Sequence, residues 1–190
     1  MLNIEAQKKN FENHVATLTD YGNIKVLDFK NPESNEYRIR FLFEEDYYRC
    51  HISGDLGELV ATNYKNMTFE GFKDFVRDPG YFEGKIDCLS RSIYAYDEKL
   101  AEEQLRERLE EYQDYGDIDV DDVIFDMMSD FNTNGFGSKA YEILSEYDSD
   151  CWEYIYDLGK EPTGILELYM LAFKLATERL EEKSKEVSAK

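Results

Sequence analysis

The chain has 190 residues, with 42 acidic against 22 basic side chains and a formal net charge of −20. That sign argues against direct binding to DNA, RNA or anionic lipid. The length suits one domain or two small ones and allows a core without disulfides or metals, so Cys50, Cys88 and Cys151 read as reduced thiols of a cytoplasmic protein.

Residues 1–11 have no apolar core after their charges, so no signal peptide is expected, and residues 1–20 are predicted as a short helix with Ile4, Phe11, Val15 and Leu18 on its buried side. Tyr21-Gly22-Asn23 is a turn, followed by a strand over 24–29 and a loop over 31–35. The clearest strand runs over 37–43. It sets Tyr37, Ile39, Phe41 and Phe43 on one face and Arg38, Arg40 and Leu42 on the other. Strands over 47–52 and 58–63 complete an antiparallel meander of about four strands.

Helical spacing then takes over. Phe69, Phe72, Phe75 and Val76 mark a helix stopped by Asp78-Pro79-Gly80, and a second is expected over 81–92. Asp97 caps a third, with Ala101, Leu105, Leu109 and Tyr112 on one stripe and the like-charged row Glu103, Glu107, Glu111 outside. Asp119 or Asp121 caps a helix over 120–131. Val123, Ile124, Met127, Met128 and Phe131 form its core side, and Asp122, Asp126 and Asp130 lie along the other. Further helices are expected over 138–147, 151–158 and 165–186. The last is largely buried, and Glu167 and Lys174 within it rule out a membrane span. The fold class is therefore α+β: an N-terminal antiparallel sheet with helices over 1–95, then an acidic helical region over 96–190 that is free to pack with the first as one unit.

The charge is concentrated. Residues 110–157 hold fifteen acids and one base, Lys139. They are also rich in aromatic and aliphatic residues, so this segment has the apolar mass to fold, unlike a disordered acidic tail. Duplex DNA carries about one charge per 1.7 Å of axis. A fixed field of carboxylates imitates such a backbone, and its natural partner is a basic groove that normally holds nucleic acid. The candidate partner-binding residues are Glu107, Glu110, Glu111, Asp114, Asp117, Asp119, Asp121, Asp122, Asp126 and Asp130. The same composition also fits an acidic protein whose charges serve solubility.

No catalytic motif is visible: there is no GxSxG, P-loop, GxGxxG or HExxH, and only His14 and His51 supply imidazoles. No catalytic residue, cofactor or metal ligand is assigned. Asp130-Phe131-Asn132-Thr133-Asn134-Gly135 matches the first half of an EF-hand loop, but Tyr141 stands where the bidentate Glu is needed. The segment reads instead as an Asn/Gly-rich turn between helices.

At Tyr37-Arg38-Ile39-Arg40-Phe41-Leu42-Phe43, His51-Ile52-Ser53-Gly54-Asp55-Leu56-Gly57 and Gly80-Tyr81-Phe82-Glu83-Gly84-Lys85, the chain resembles small phage and prophage proteins of Gram-positive bacteria. Some acidic proteins of this kind are anti-CRISPR proteins that inhibit type II Cas nucleases. The resemblance covers roughly the first hundred residues and carries over no individual binding residue. It implies a non-enzymatic protein of the host bacterial cytoplasm that binds a nuclease with its guide RNA and blocks engagement of target DNA. An acidic intracellular adaptor or regulator of another basic protein remains the alternative, and an enzyme with an unrecognised site the third reading.

Overall fold

The computed structural model describes residues 3–113 and 119–188, the side chains of 111–113 and 187–188 excepted. The first elements are α1 (Ile4–Lys8), β1 (Val15–Asp20), β2 (Ile24–Lys30), β3 (Ile39–Glu44), β4 (Arg49–Gly54) and β5 (Gly57–Thr62). Two short helices follow, α2 (Lys73–Arg77) and α3 (Pro79–Glu83), then β6 (Ile86–Leu89) and β7 (Tyr94–Tyr96). The acidic region holds α4 (Glu98–Gln113), α5 (Val120–Met128), the strand pair β8 (Phe131–Asn132) and β9 (Gly135–Phe136), and α6 (Ser138–Ser145). The chain ends with β10 (Lys160–Pro162) and α7 (Ile165–Ser188). The fold is α+β, with its sheet at the N-terminus and helices after it.

The chain divides into two compact units. One joins residues 1–93 to 164–190; the other is residues 94–163. The acidic region is thus an insertion between β6 and α7. The expected division at 95/96 differs at its far end, because α7 belongs with the sheet. Its stripe of Leu166, Tyr169, Met170, Phe173 and Ala176 is buried in the core of the sheet unit.

That sheet has six antiparallel strands in sequential order, two more than expected. Period-two alternation sets its faces. Register places Phe41 between Leu27 and Ile52, with Leu59 next across, and Phe43 beside Cys50 and Ala61; all are buried. Phe72 and Phe173 pack on this face with ring centroids 4.7 Å apart, and Phe41 lies 5.4 Å from Phe173. The opposite face is polar: Arg40 grips Asp28 through two hydrogen bonds of 2.7 and 3.0 Å. Tyr169 crosses the core to donate its hydroxyl to the Gly57 carbonyl at 3.1 Å, and burial pushes its phenol up to about 12.

Two sequence expectations fail here, and a third holds with an addition. Residues 15–20 form strand β1, not the end of a helix: Ala16 is buried between exposed Val15 and Thr17, a period of two. The run Phe11, Val15, Leu18 imitates helical spacing by coincidence. Asp78-Pro79 does not merely stop a helix. Asp78 caps α3, its carboxylate accepting from the Tyr81 amide at 2.9 Å, with Pro79 at the first helical position. The helix expected over 81–92 ends at Glu83, and Ile86–Leu89 pairs with β5 across an irregularity between Val60 and Ala61.

The inserted unit is closed by its own ends. β7 and β10 pair antiparallel, Tyr94 opposite Pro162 and Tyr96 opposite Lys160. Its core is Ala101, Leu105 and Leu109 of α4, Val120, Val123, Ile124 and Met127 of α5, and Phe136, Ala140, Leu144, Cys151 and Ile155. Tyr112, expected on the α4 stripe, lies outside the described side chains. The helix expected over 120–131 ends at Met128, because Phe131 and Asn132 turn into a hairpin with Gly135 and Phe136. The segment 151–158 is two 3-10 turns rather than one helix.

Candidate functional site

Unit 94–163 carries twenty-one acids and five bases, so it holds −16 of the chain's −20. Burial of Ala101, Leu105 and Leu109 at every fourth position turns Glu102, Glu103, Glu107 and Glu110 of α4 outward. Burial of Val120, Val123, Ile124 and Met127 does the same for Asp121, Asp122 and Asp126 of α5. Asp119 is the N-cap of α5, its carboxylate accepting from the Asp122 amide at 3.3 Å. Acids crowd this first turn because the helix dipole favours negative charge there.

The charges are not equally available. Arg106 of α4 reaches across to Asp121 at 2.7 Å and back to Glu102 at 3.6 Å, and the Asp121 hydrogen bond raises the guanidinium above its ordinary value. Lys139 is held at 2.9 Å by Ser129 Oγ and at 3.4 Å by the Asp126 carbonyl, at the C-terminal end of α5. Among the described residues no basic side chain is paired with the carboxylates of Glu107, Glu110, Asp122 or Asp126.

Asp130 is different. It is half-buried, and its carboxylate accepts from the Ala140 amide at 3.0 Å, in the first turn of α6. A Cβ on Gly137 would stand 2.7 Å from that same oxygen, so glycine makes room for the contact. Asp130 therefore serves the fold. The side chain of Glu111, and Asp114 and Asp117 altogether, lie outside the described residues.

One apolar residue stands in this acidic face. Phe125 is 78% exposed, with Asp121 and Asp122 in the turn before it and Asp126 beside it. Helical spacing already sets Phe125 off the core stripe, but nothing in the sequence gives it a role. Trp152, in the first 3-10 turn, is 60% exposed.

Among the described residues no group of three or more His, Cys, Asp or Glu is placed to hold a metal ion. In the half-EF-hand segment Asn132 Oδ1 accepts from the Asn134 amide at 2.9 Å, which tightens a hairpin where a helix–helix turn was expected. In the sheet unit, a groove of about 480 Å³ opens between β1 and α7, with Leu18, Phe69, Phe173 and Leu180 at its base. No helix among the described residues is long and apolar enough to cross a membrane.

No family model, curated protein or solved structure matches the chain.

Proposed function

We propose that the chain is an anti-CRISPR-type inhibitor, a binder without catalysis that occupies the basic channel of a guide-loaded type II Cas nuclease in place of target DNA. The observation that carries this reading is the set of uncompensated carboxylates on the outward faces of α4 and α5: Glu107, Glu110, Asp122 and Asp126. Asp119 adds charge beside them, while Asp121 is bridged to Arg106. In such a nuclease, Lys and Arg side chains hold phosphates and read guanine edges. Carboxylates fixed on two packed helices meet those cations without the chain-ordering cost that a flexible acidic tail would carry.

The test is DNA cleavage by guide-loaded nuclease with and without the protein, joined to binding measured across a salt series. Inhibition with affinity that falls steeply as salt rises is the expected result. Glu107→Lys, Glu110→Lys, Asp122→Lys and Asp126→Lys together should abolish it in a protein that still folds, since none of the four is buried or capping. Cleavage that proceeds unchanged at saturating protein would refute the proposal. A partner recovered from a host without such a nuclease would move the same surface to another basic protein.

A further inference from the structure

Phe125 is an exposed side chain that charge mimicry leaves unexplained, and it is more exposed than Trp152 of the same unit. Val120, Val123, Ile124 and Met127 fill the core beneath α5, so the Phe125 ring points away from it and is 78% exposed. Among the described residues no other ring packs on it. It sits on a nine-residue helix, not on a loop, so its position is set by the same packing that sets Asp122 and Asp126.

A cleft for duplex DNA meets phosphates and groove edges, while the faces of the bases stay stacked inside the helix. An exposed phenyl gains nothing there. A cleft for a single strand is built differently: a cationic track follows the backbone, and aromatic or guanidinium platforms stack on the bases. A flat apolar ring flanked by carboxylates has the complementary pattern.

Building on the inhibitor reading above, we infer that Phe125 stands in for an unstacked base, with Asp122 and Asp126 as its neighbouring phosphates. The occupant of this helix face is then a protein cleft that holds single-stranded nucleic acid. That cleft is basic along its track and carries an aromatic or arginine platform that receives the ring.

The probe is the guide-loaded type II nuclease, titrated with wild-type chain and with Phe125→Ala, Phe125→Leu and Phe125→Trp. Loss of one stacking contact should weaken binding about tenfold or more in the Ala variant. Leu, which keeps apolar bulk without a π-face, should behave like Ala, and Trp should match wild type. The dependence of affinity on salt should be the same in all four, since no charge changes. A single-stranded oligonucleotide should displace the chain, and a duplex of equal length should not. Equal melting temperatures would show that any loss is not misfolding, as expected for a side chain outside the core.

If Phe125→Ala binds like wild type, or Phe125→Leu does, the base reading is wrong while the inhibitor reading stands. Displacement by duplex in preference to single strand also overturns it. If the wild-type chain neither binds nor inhibits the nuclease, both readings fall together.

Discussion

Arg179 and Phe11 are 168 residues apart, yet the Arg179 guanidinium donates to the Phe11 carbonyl at 2.6 Å. It also donates to the carbonyls of His14 and, at 3.2 Å, Glu12, and lies 5.1 Å over the Phe29 ring. Burial lowers its pKa from the ordinary value, and no carboxylate is bridged to it among the described residues. The last helix thus holds the segment that leads into β1 by satisfying backbone oxygens rather than by an ion pair. Arg179→Met should lower stability by about 2–3 kcal/mol in chemical denaturation, in line with charged hydrogen bonds to carbonyls. Arg179→Lys should recover less than half, because an ammonium lacks the planar fork.

His14 answers to pH for the same reason. It is buried, Nε2 lies 3.1 Å from the Tyr37 carbonyl and donates its proton there, and Nδ1 has no partner among the described residues. Burial lowers its pKa, and the nearby Arg179 charge adds to the effect. The folded state therefore holds the neutral ring, while the unfolded ring takes up a proton near 6.5. The stability it contributes is present above pH 6.5 and lost as pH falls from there through the lower folded value. Unfolding titrated from pH 7.5 to 5.5 should show stability falling with pH, at a slope below the one-proton limit of about 1.4 kcal/mol per pH unit, and His14→Gln should flatten that slope.

Asp130→Ala should destabilise the protein by about 1 kcal/mol, the usual worth of a helix-capping oxygen, while Asp130→Asn, which keeps an acceptor, should recover most of it. Thermal melting checks both. Inhibition or binding, where measured, should change no more than the folded fraction does, since this carboxylate faces α6.

Gly159 has φ +75°, and a Cβ there would meet the Ala101 Cβ and the Asp97 carbonyl oxygen, each at 2.7 Å. Its amide donates to Gln104 Oε1 at 2.8 Å, so the backbone cannot swing away without breaking that bond. Gly159→Ala should cost about 3 kcal/mol or more, combining left-handed backbone strain with overpacking. Gly22, at φ +86° with nothing within 4 Å of a built Cβ, is the control; Gly22→Ala should cost only about 1 kcal/mol. Denaturant midpoints of the two variants give the comparison.

The parts of the fold legible in the sequence are those fixed by local chemistry. Ile39, Phe41 and Phe43 alternate with Arg40 and Leu42, and β3 follows. Asp97 and Asp119 precede apolar runs, and both cap their helices, Asp97 accepting from the Leu100 amide at 2.8 Å. What escaped depends on distant partners. β1 is a strand because β2 offers it six register positions, and β6 because β5 offers it an edge. The return of α7 to the sheet depends on Phe41, Phe43 and Phe72, which linear spacing does not connect to it. In the acidic region the outward stripe could be counted from the periodicity. The inward turn of Asp130 and the Arg106–Asp121 bridge could not, since each requires a second element in place.

The ladder between β7 and β10 has a consequence for how such a chain diversifies. Tyr94 and Pro162 are register partners, about 5 Å apart in an antiparallel pair. Everything between them leaves and rejoins the parent sheet unit at nearly one point. A cassette with that entry and exit can be lengthened, exchanged or deleted with a few linking residues, as tolerated insertions generally are where chain ends lie close together. The inserted unit can therefore change in length or sequence while the sheet that carries it is inherited unaltered.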